Sequence, residues 1–312
     1  MTRGTTARWT PADIPDLSGR IALVTGGNRG LGLETAATLA SRGAEVVIAC
    51  RNASAATEAL SVLKARAPMA QVAAMDLDLT RLSSVRDFTR AFTARHGRLD
   101  ILVNNAGVFG INQGLTEDGF ELHFGTNHLG HFAMTLGLME SLARSPAPRI
   151  VAVTSMMARQ GKIDFDNLDR RKGKYSKWQA YSDSKLANVL FAGELQRRMD
   201  RAGIPGTAVL AHPGYAATNS PFGGSSMTPT PLEVMLLVIG SAFSQSPAMG
   251  AQPTLMGATW PDAKPGMVFG PGRMGGMRGS PVADGQRIPT DTETAAKLWA
   301  ISEELTGARF PA

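Results

Sequence analysis

The sequence predicts an α/β protein built on one doubly wound parallel sheet with helices on both faces. Three observations predict it. Apolar, β-branched runs alternate with helix-period segments over the first two hundred residues, the runs are apolar throughout rather than every second residue, and glycine-rich or polar residues follow their carboxyl ends. Right-handed crossovers place helices on each side of such a sheet, and ligands bind beyond the carboxyl ends of its strands. Functional residues are therefore expected just after each apolar run.

Residues 21–26 (IALVTG) read as the first strand, followed by a glycine-rich turn and a helix over 31–43 that Gly43 closes. Strand and helix then alternate: 44–50 and 53–67, 71–78 and 83–97, 99–107 and 119–144. Residues 149–155 (RIVAVTS) form a fifth strand, and the helix carrying Tyr181 leads into a sixth at 207–214 (TAVLAHPG). The rhythm breaks at 215–254, rich in Pro, Gly, Ser, Thr and Met, where only 231–243 suggests a helix. That segment reads as a substrate-side region; whether 231–243 is a lid, a core helix or an interface is open. A short run at 266–272 and a final helix over 292–305 complete the chain. The organisation expected is an N-terminal extension, 1–17, and a single domain, 18–312.

Composition bounds the function. The 312 residues are 43% apolar, enough for a sizeable core, and the one cysteine, Cys50, excludes an internal disulfide and fits a reducing, cytoplasmic setting. The first twenty residues hold no apolar leader. The longest apolar run, 231–243, contains Glu233 and falls short of the ~20 residues a membrane span needs, so no stable membrane insertion is expected. The net charge of +6 is scattered, apart from one cluster, DRRKGKYSK at 169–177, which reads as a solvated loop. Nucleic acid is therefore not an expected partner, whereas an anionic cofactor is. Homo-oligomerisation is left open.

The first strand ends in TGGNRGLG, with Gly26, Gly30 and Gly32 spaced G-x-x-x-G-x-G around Asn28, Arg29 and Leu31. Glycines between a strand and a helix let the backbone approach a pyrophosphate, to which the helix N-terminus offers N–H groups. A second glycine cluster, GPGRMGG at 270–276, matches G-x-G-x-x-G but precedes no helical pattern, and is assigned to a surface loop. The second strand ends in ACRN. An acidic residue there would bind a ribose 2′-hydroxyl; instead Arg51, beside Asn52, joins Arg29, and two guanidiniums without a carboxylate favour NADP(H) over NAD(H). Cys50 reads as a small buried hydrophobe. At 180–191 (AYSDSKLANVLF), Tyr181 and Lys185 stand four residues apart and share a helix face. A cation one turn from a phenol favours the phenolate and is expected to lower the tyrosine pKa, tuning it as general acid or base.

TGGNRGLG, NNAG (104–107), VTS (153–155), YSDSK (181–185) and HPG (212–214) occur in this order. Together they resemble the short-chain dehydrogenase/reductase superfamily across about residues 18–220, which implies a Rossmann-type fold and hydride transfer with a nicotinamide dinucleotide. TNHLGHF (126–132) and YSDSKLANVLF are further similar to its retinol dehydrogenase and protochlorophyllide reductase branch. The resemblance implies a catalytic set of Asn127, Ser155, Tyr181 and Lys185: Tyr181 as acid/base, Ser155 on the carbonyl oxygen, Lys185 also on the nicotinamide ribose, and Asn127 supporting a water-linked relay. It implies adenine contacts at Asp78 and Leu79, with Asp76 as fallback, a cofactor path along Asn105, Ala106 and Gly107, and nicotinamide contacts at Pro213, Gly214 and Thr218. The distance from Ser155 to Tyr181 is longer than in most of the superfamily.

His128 and His131 lack the carboxylate of a metal-binding helix motif, so no metal is expected. Substrate candidates are Ser155, Met157 and Tyr215, with Phe109 and Met156 nearby. The reading is an NADP(H)-dependent oxidoreductase acting on an apolar carbonyl or alcohol. The rival is a catalytically silent dinucleotide-binding regulator on the same fold.

Overall fold

The computed structural model describes residues 9–215, 244–284 and 291–311, so Thr218 and the candidate helix 231–243 lie outside the described residues. Eight strands form one sheet in the order β3-β2-β1-β4-β5-β6-β7-β8. They are β1 (Ile21–Thr25), β2 (Glu45–Cys50), β3 (Val72–Asp76), β4 (Ile101–Asn104), β5 (Arg149–Val153), β6 (Thr207–Ala211), β7 (Val268–Arg273) and β8 (Arg278–Asp284). The first seven are parallel; β8 returns antiparallel to β7. Strand order reverses at β1, so the crevice between the ends of β1 and β4 is where a doubly wound sheet binds its ligand.

The helices are α1 (Gly30–Ser41), α2 (Ala53–Arg66), α3 (Leu82–His96) and α4 (Leu122–Phe124), which passes through a π-helical turn, Gly125–Leu129, into α5 (Gly130–Gly137). After these come α6 (Met139–Ala143), α7 (Lys177–Arg201), α8 (Pro247–Thr259) and α9 (Thr292–Thr306). Helices α1, α2 and α8 pack on one face of the sheet, where Ala36, Leu39, Leu63, Leu255 and Phe269 share a core. Helices α3, α5 and α7 cover the other face through Phe88, Phe92, Phe132, Phe191 and Leu195. Trp9, Ile14 and Leu17 belong to the first core, so the N-terminal extension is part of the body from residue 9.

Two expectations change. The glycine cluster at 270–276 is not a surface loop over its first half: Gly270–Arg273 continues β7, and only Met274–Gly276 forms the turn to β8. Val268 and Phe269 are buried and carry the strand inward, while a Cβ on Gly270 would fall 2.1 Å from His212 Nε2, so the strand passes His212 only as glycine. The second change concerns 247–254, grouped by sequence with the substrate side. These residues open α8, which packs on α1 and the sheet. Its amphipathic signal is absent because small residues, Gly250, Ala251, Gly257 and Ala258, are buried all round; a Cβ on Gly257 would stand 3.1 Å from Phe269.

Helix α9 closes the second face. Trp299 is 1% exposed and stacks 5.9 Å from Phe191 at 14°, edge-on to Phe132 at 4.9 Å, with the Arg198 guanidinium 4.5 Å over its ring. Trp299→Ala is expected to lower stability by about 3–5 kcal/mol, read as a drop in the urea midpoint with an unchanged slope.

Candidate active site

The predicted residues converge at the carboxyl ends of β1, β4 and β5 and the start of α7. Ser155 follows β5 and caps a short 3-10 turn, Met156–Gln160, its Oγ accepting the Met157 N–H at 3.2 Å. The same side chain is hydrogen-bonded to Tyr181. Helix α7 begins at the Ser176 cap, which puts Tyr181 and Lys185 on the face turned to the sheet. The Lys185 ammonium donates to the Val153 carbonyl at 3.0 Å and stands 5.8 Å from the Tyr181 ring centre. Thr154 Oγ1 donates to the Lys185 carbonyl at 2.9 Å, tying the helix to the strand end.

Asn127 sits in the π-turn, a geometry that recurs at functional sites. Its amide pairs with Val108 in both directions: Oδ1 accepts from the Val108 N–H at 2.8 Å and Nδ2 donates to the Val108 carbonyl at 3.0 Å. Nδ2 also donates to Ser184 Oγ at 3.0 Å. Gly107, just before Val108, lies where a Cβ would meet Asn127 Oδ1 at 2.9 Å and Lys185 Nζ at 3.6 Å. Asn127, Ser155, Tyr181 and Lys185 are thus gathered in one place.

The expected depression of the tyrosine pKa does not appear. Burial pushes the Tyr181 phenol up to about 12, against a lowering by its bond to Ser155, and burial pulls the Lys185 ammonium down to about 8. Desolvation penalises both charged forms, and the ammonium is engaged at Val153 rather than at the phenol oxygen. The two values therefore move apart, so that a proton held between the pair belongs on the phenol rather than on the lysine.

The glycine turn fits a pyrophosphate. Gly26 and Gly30 have positive φ, 64° and 54°, and nothing lies within 4 Å of a Cβ placed on Gly30, which opens the N-terminus of α1. A Cβ on Gly32 would collide with the Gly26 carbonyl at 2.2 Å, so this glycine sets the helix close to the strand. Asn28 and Leu31 are partly buried, and Arg29, exposed, is the α1 cap residue. Arg51 is exposed directly after β2; Asn52 beside it caps α2, accepting the Ala55 N–H at 2.8 Å. The Cys50 thiol is pushed up by burial and by the nearby Asp76 charge, which fits an unreactive residue. Asp78 Oδ1 is taken by Thr80, accepting from its N–H at 3.0 Å and its hydroxyl at 2.7 Å, and Leu79 is buried against Gly130. Asn105 Nδ2 donates to the Thr25 carbonyl at 2.7 Å, and Ala106 packs on Gly26.

Pro213 and Gly214 are held from outside the motif. Gln245, 1% exposed, donates through Nε2 to the Pro213 carbonyl at 2.6 Å and through its N–H to the Tyr215 carbonyl at 2.9 Å. Tyr215, 38% exposed, donates its N–H to Met277 in the turn after β7. Gly214 has φ 65°, and a Cβ there would lie 2.5 Å from the Met277 carbonyl. Met157 is partly buried beside Ser155.

Sequence reasoning missed one polar cluster entirely. Glu121 Oε1 accepts from His123 Nδ1 at 3.0 Å and from the Tyr175 hydroxyl at 2.9 Å, and Oε2 accepts the Phe124 N–H at 2.8 Å. Burial pushes the Glu121 carboxyl up, but these bonds more than offset it and hold it below its usual range. The His123 ring stands 6.2 Å from that of Tyr181, which on another side meets Phe109 edge-on at 4.7 Å; Trp178 lies 5.2 Å beyond Phe109. The signal available was only the polarity of Glu121 and His123 in an apolar context.

A family model described as short chain dehydrogenase matches residues 20–221. The chain belongs to that family. This dehydrogenase is 38% identical to retinol dehydrogenase 14 of Mus musculus over 306 residues, covering 93% of this chain and 87% of that protein. It is 37% identical to the WW domain-containing oxidoreductase of Homo sapiens over 311 residues, 95% of this chain and 70% of that one. A crystal structure of an uncharacterised Mycobacterium paratuberculosis protein superimposes with a TM-score of 0.81 at 39% identity, covering 98% of this chain and all of that chain (100%). These similarities place the dehydrogenase in the retinol dehydrogenase-like branch of the short-chain dehydrogenase/reductase oxidoreductases. Among the described residues no helix is long and apolar enough to cross a membrane, and no three metal-ligating side chains converge.

The buried lysine makes stability depend on pH. The unfolded chain holds the Lys185 proton to about 10.5 and the folded dehydrogenase releases it near 8, so between these values the unfolded state binds more protons and stability rises with pH. Relative to Lys185→Met, which lacks the titration, the wild type is expected to gain up to about 3 kcal/mol across that window, measured by urea unfolding at stepped pH.

Proposed function

We propose that this dehydrogenase is an NADP(H)-dependent oxidoreductase that interconverts a carbonyl and an alcohol on a lipophilic substrate, with Tyr181 as general acid and base. The observation that carries the reading is the Ser155–Tyr181–Lys185 group, set at the strand ends beside a glycine cradle with an open helix N-terminus. The dinucleotide would supply or accept the hydride. Gly26 to Gly32 would hold its pyrophosphate, and Arg29 and Arg51 the 2′-phosphate. In the reducing direction the Tyr181 phenol donates a proton to the substrate oxygen, which the Ser155 hydroxyl orients; in the oxidising direction Tyr181 accepts it. Lys185 is held below its usual pKa and Tyr181 above its own, so the ammonium would readily return a proton to the phenolate.

A lipophilic substrate is favoured by the surroundings of Tyr181. Phe109 meets its ring edge-on, and Trp178 lies beyond Phe109. Met156 and Met157 follow Ser155, and methionine adapts to irregular apolar ligands. The similarity to retinol dehydrogenase 14 is in keeping with this class. The cytoplasm is the setting we propose, and a silent dinucleotide-binding regulator is the alternative that the intact Tyr–Lys pair disfavours.

Purified protein is expected to bind NADPH more tightly than NADH in a thermal-shift or tryptophan-quenching titration. Arg51→Ala should weaken NADPH by about tenfold or more and leave NADH nearly unchanged; an equal loss for both cofactors would remove the phosphate assignment. Tyr181→Phe is expected to cut NADPH-dependent reduction of lipophilic aldehydes by about 10²–10⁴, with NADPH affinity within about twofold of wild type. Absence of turnover in the wild type, with NADPH still bound, would favour the regulator.

A further inference from the structure

Behind the catalytic group lies a buried side chain that the motif reading left without a task. His131 is 2% exposed, and both of its ring nitrogens are engaged. Nδ1 lies 3.0 Å from the Asn127 carbonyl oxygen and Nε2 lies 2.9 Å from Thr25 Oγ1. Thr25 Oγ1 in turn receives the Asn105 and Ala106 N–H groups, each at 2.9 Å.

The direction of every proton in this chain is fixed by elimination. A carbonyl oxygen only accepts, so Nδ1 must carry the hydrogen toward Asn127. Burial holds the ring neutral, at a pKa of about 4, so Nε2 then has none and must accept. The Thr25 hydroxyl is the donor to Nε2, and its lone pairs take the two backbone amides, which only donate. Its other acceptor, the Val103 carbonyl, is farther away at 3.4 Å. One tautomer satisfies all the groups.

We propose that His131 is a positioning residue that couples the catalytic π-turn to the dinucleotide cradle. Asn127 already grips the loop 105–108 at one end through Val108. The path from its carbonyl through His131 and Thr25 grips the other end at Asn105 and Ala106. Two clamps from a single turn fix the loop on which Gly107 lies against Lys185. Loss of the His131 bridge releases one clamp, leaving the Thr25 hydroxyl without its near acceptor and the Asn127 carbonyl without the ring N–H, so the loop that Thr25 holds shifts where the cofactor is to lie. The inference rests on the dinucleotide reading of that loop.

The test reads NADPH binding to the purified chain by thermal shift and tryptophan quenching, alongside the tautomer of His131 from ring-nitrogen NMR. His131→Phe keeps the shape and removes both bonds, His131→Gln can donate and accept, and Thr25→Val removes the hydroxyl that Thr25→Ser keeps. Expected results are a Nδ1-protonated, Nε2-accepting ring across neutral pH, and about tenfold weaker NADPH binding in His131→Phe and in Thr25→Val. The double variant is expected to be no weaker than the worse single one, since both break the same bridge. His131→Gln and Thr25→Ser should recover most of the affinity. An Nε2-protonated ring, additive losses, or NADPH affinity within about twofold of wild type in a merely destabilised His131→Phe would overturn the proposal. If His131→Phe does not fold, the wild-type tautomer and the Thr25 pair still decide. If wild type binds neither NADPH nor NADH, the dinucleotide reading fails, while the tautomer result still stands or falls by itself.

Discussion

Between Gly125 and Leu129 the helix widens to i→i+5 bonding, with the Gly130 N–H reaching the Gly125 carbonyl, and the extra residue turns its side chains toward separate elements. Asn127 grips the backbone after the NNAG strand end, and His128 reaches Ser302 on α9 at 2.9 Å. Ser302 already donates to the Leu298 carbonyl, so the His128 nitrogen donates to it. The π-turn also explains why two histidines three apart hold no metal-like geometry: each is buried, neutral and committed to a different neighbour. Burial brings His128 to about 3 and His131 to about 4, and a positive charge on either would face the other or Lys185.

The same economy of buried polar groups sets the chemistry at Tyr181 and Lys185. Two effects compete there: a cation favours the phenolate, and removal from water disfavours every charge. Desolvation wins at both residues, because the ammonium is spent on the Val153 carbonyl while the phenol is bonded to Ser155. The pair is therefore driven apart, the tyrosine upward and the lysine downward. For proton traffic the difference between donor and acceptor matters more than either value, and burial reduces the advantage of the charged lysine.

The parallel core was legible because a strand buried on both faces must be apolar through its middle, as β1, β2, β4, β5 and β6 are, whereas β3 lies at the sheet edge and is only partly buried; the same rule exposed the strand ends where Ser155, Asn105 and Gly26 sit. What stayed hidden was local polarity satisfied by distant partners. Gln245 and the β7–β8 turn reach Pro213 to Tyr215 from far along the chain, and nothing in their own neighbourhood predicts it. Helix α8 escaped because Pro247 and Pro253 read as breakers, although Pro247 stands at the start of the helix, where a missing N–H costs nothing. The pKa direction at Tyr181 was misread because spacing gives the proximity of a cation but not the depth of burial.

The long segment between Ser155 and Tyr181 shows how an insertion is made compatible with a rigid site. It is fastened at two buried carboxylates. Asp183, two residues past the tyrosine, pairs with Arg170 and accepts the Lys162 N–H and Gln179 Nε2, both at 2.7 Å. Glu121 takes the Tyr175 hydroxyl together with His123, binding the far end of the segment to α4 just before the π-turn. A buried carboxylate is tolerable only when its lone pairs are filled. The insertion therefore cannot swing away without stranding one of these charges. The basic residues of this stretch are in part structural: Arg170 neutralises Asp183 and so ties the charge cluster that reads from sequence as a solvated loop to α7, while Arg171 pairs with Asp169 within the segment.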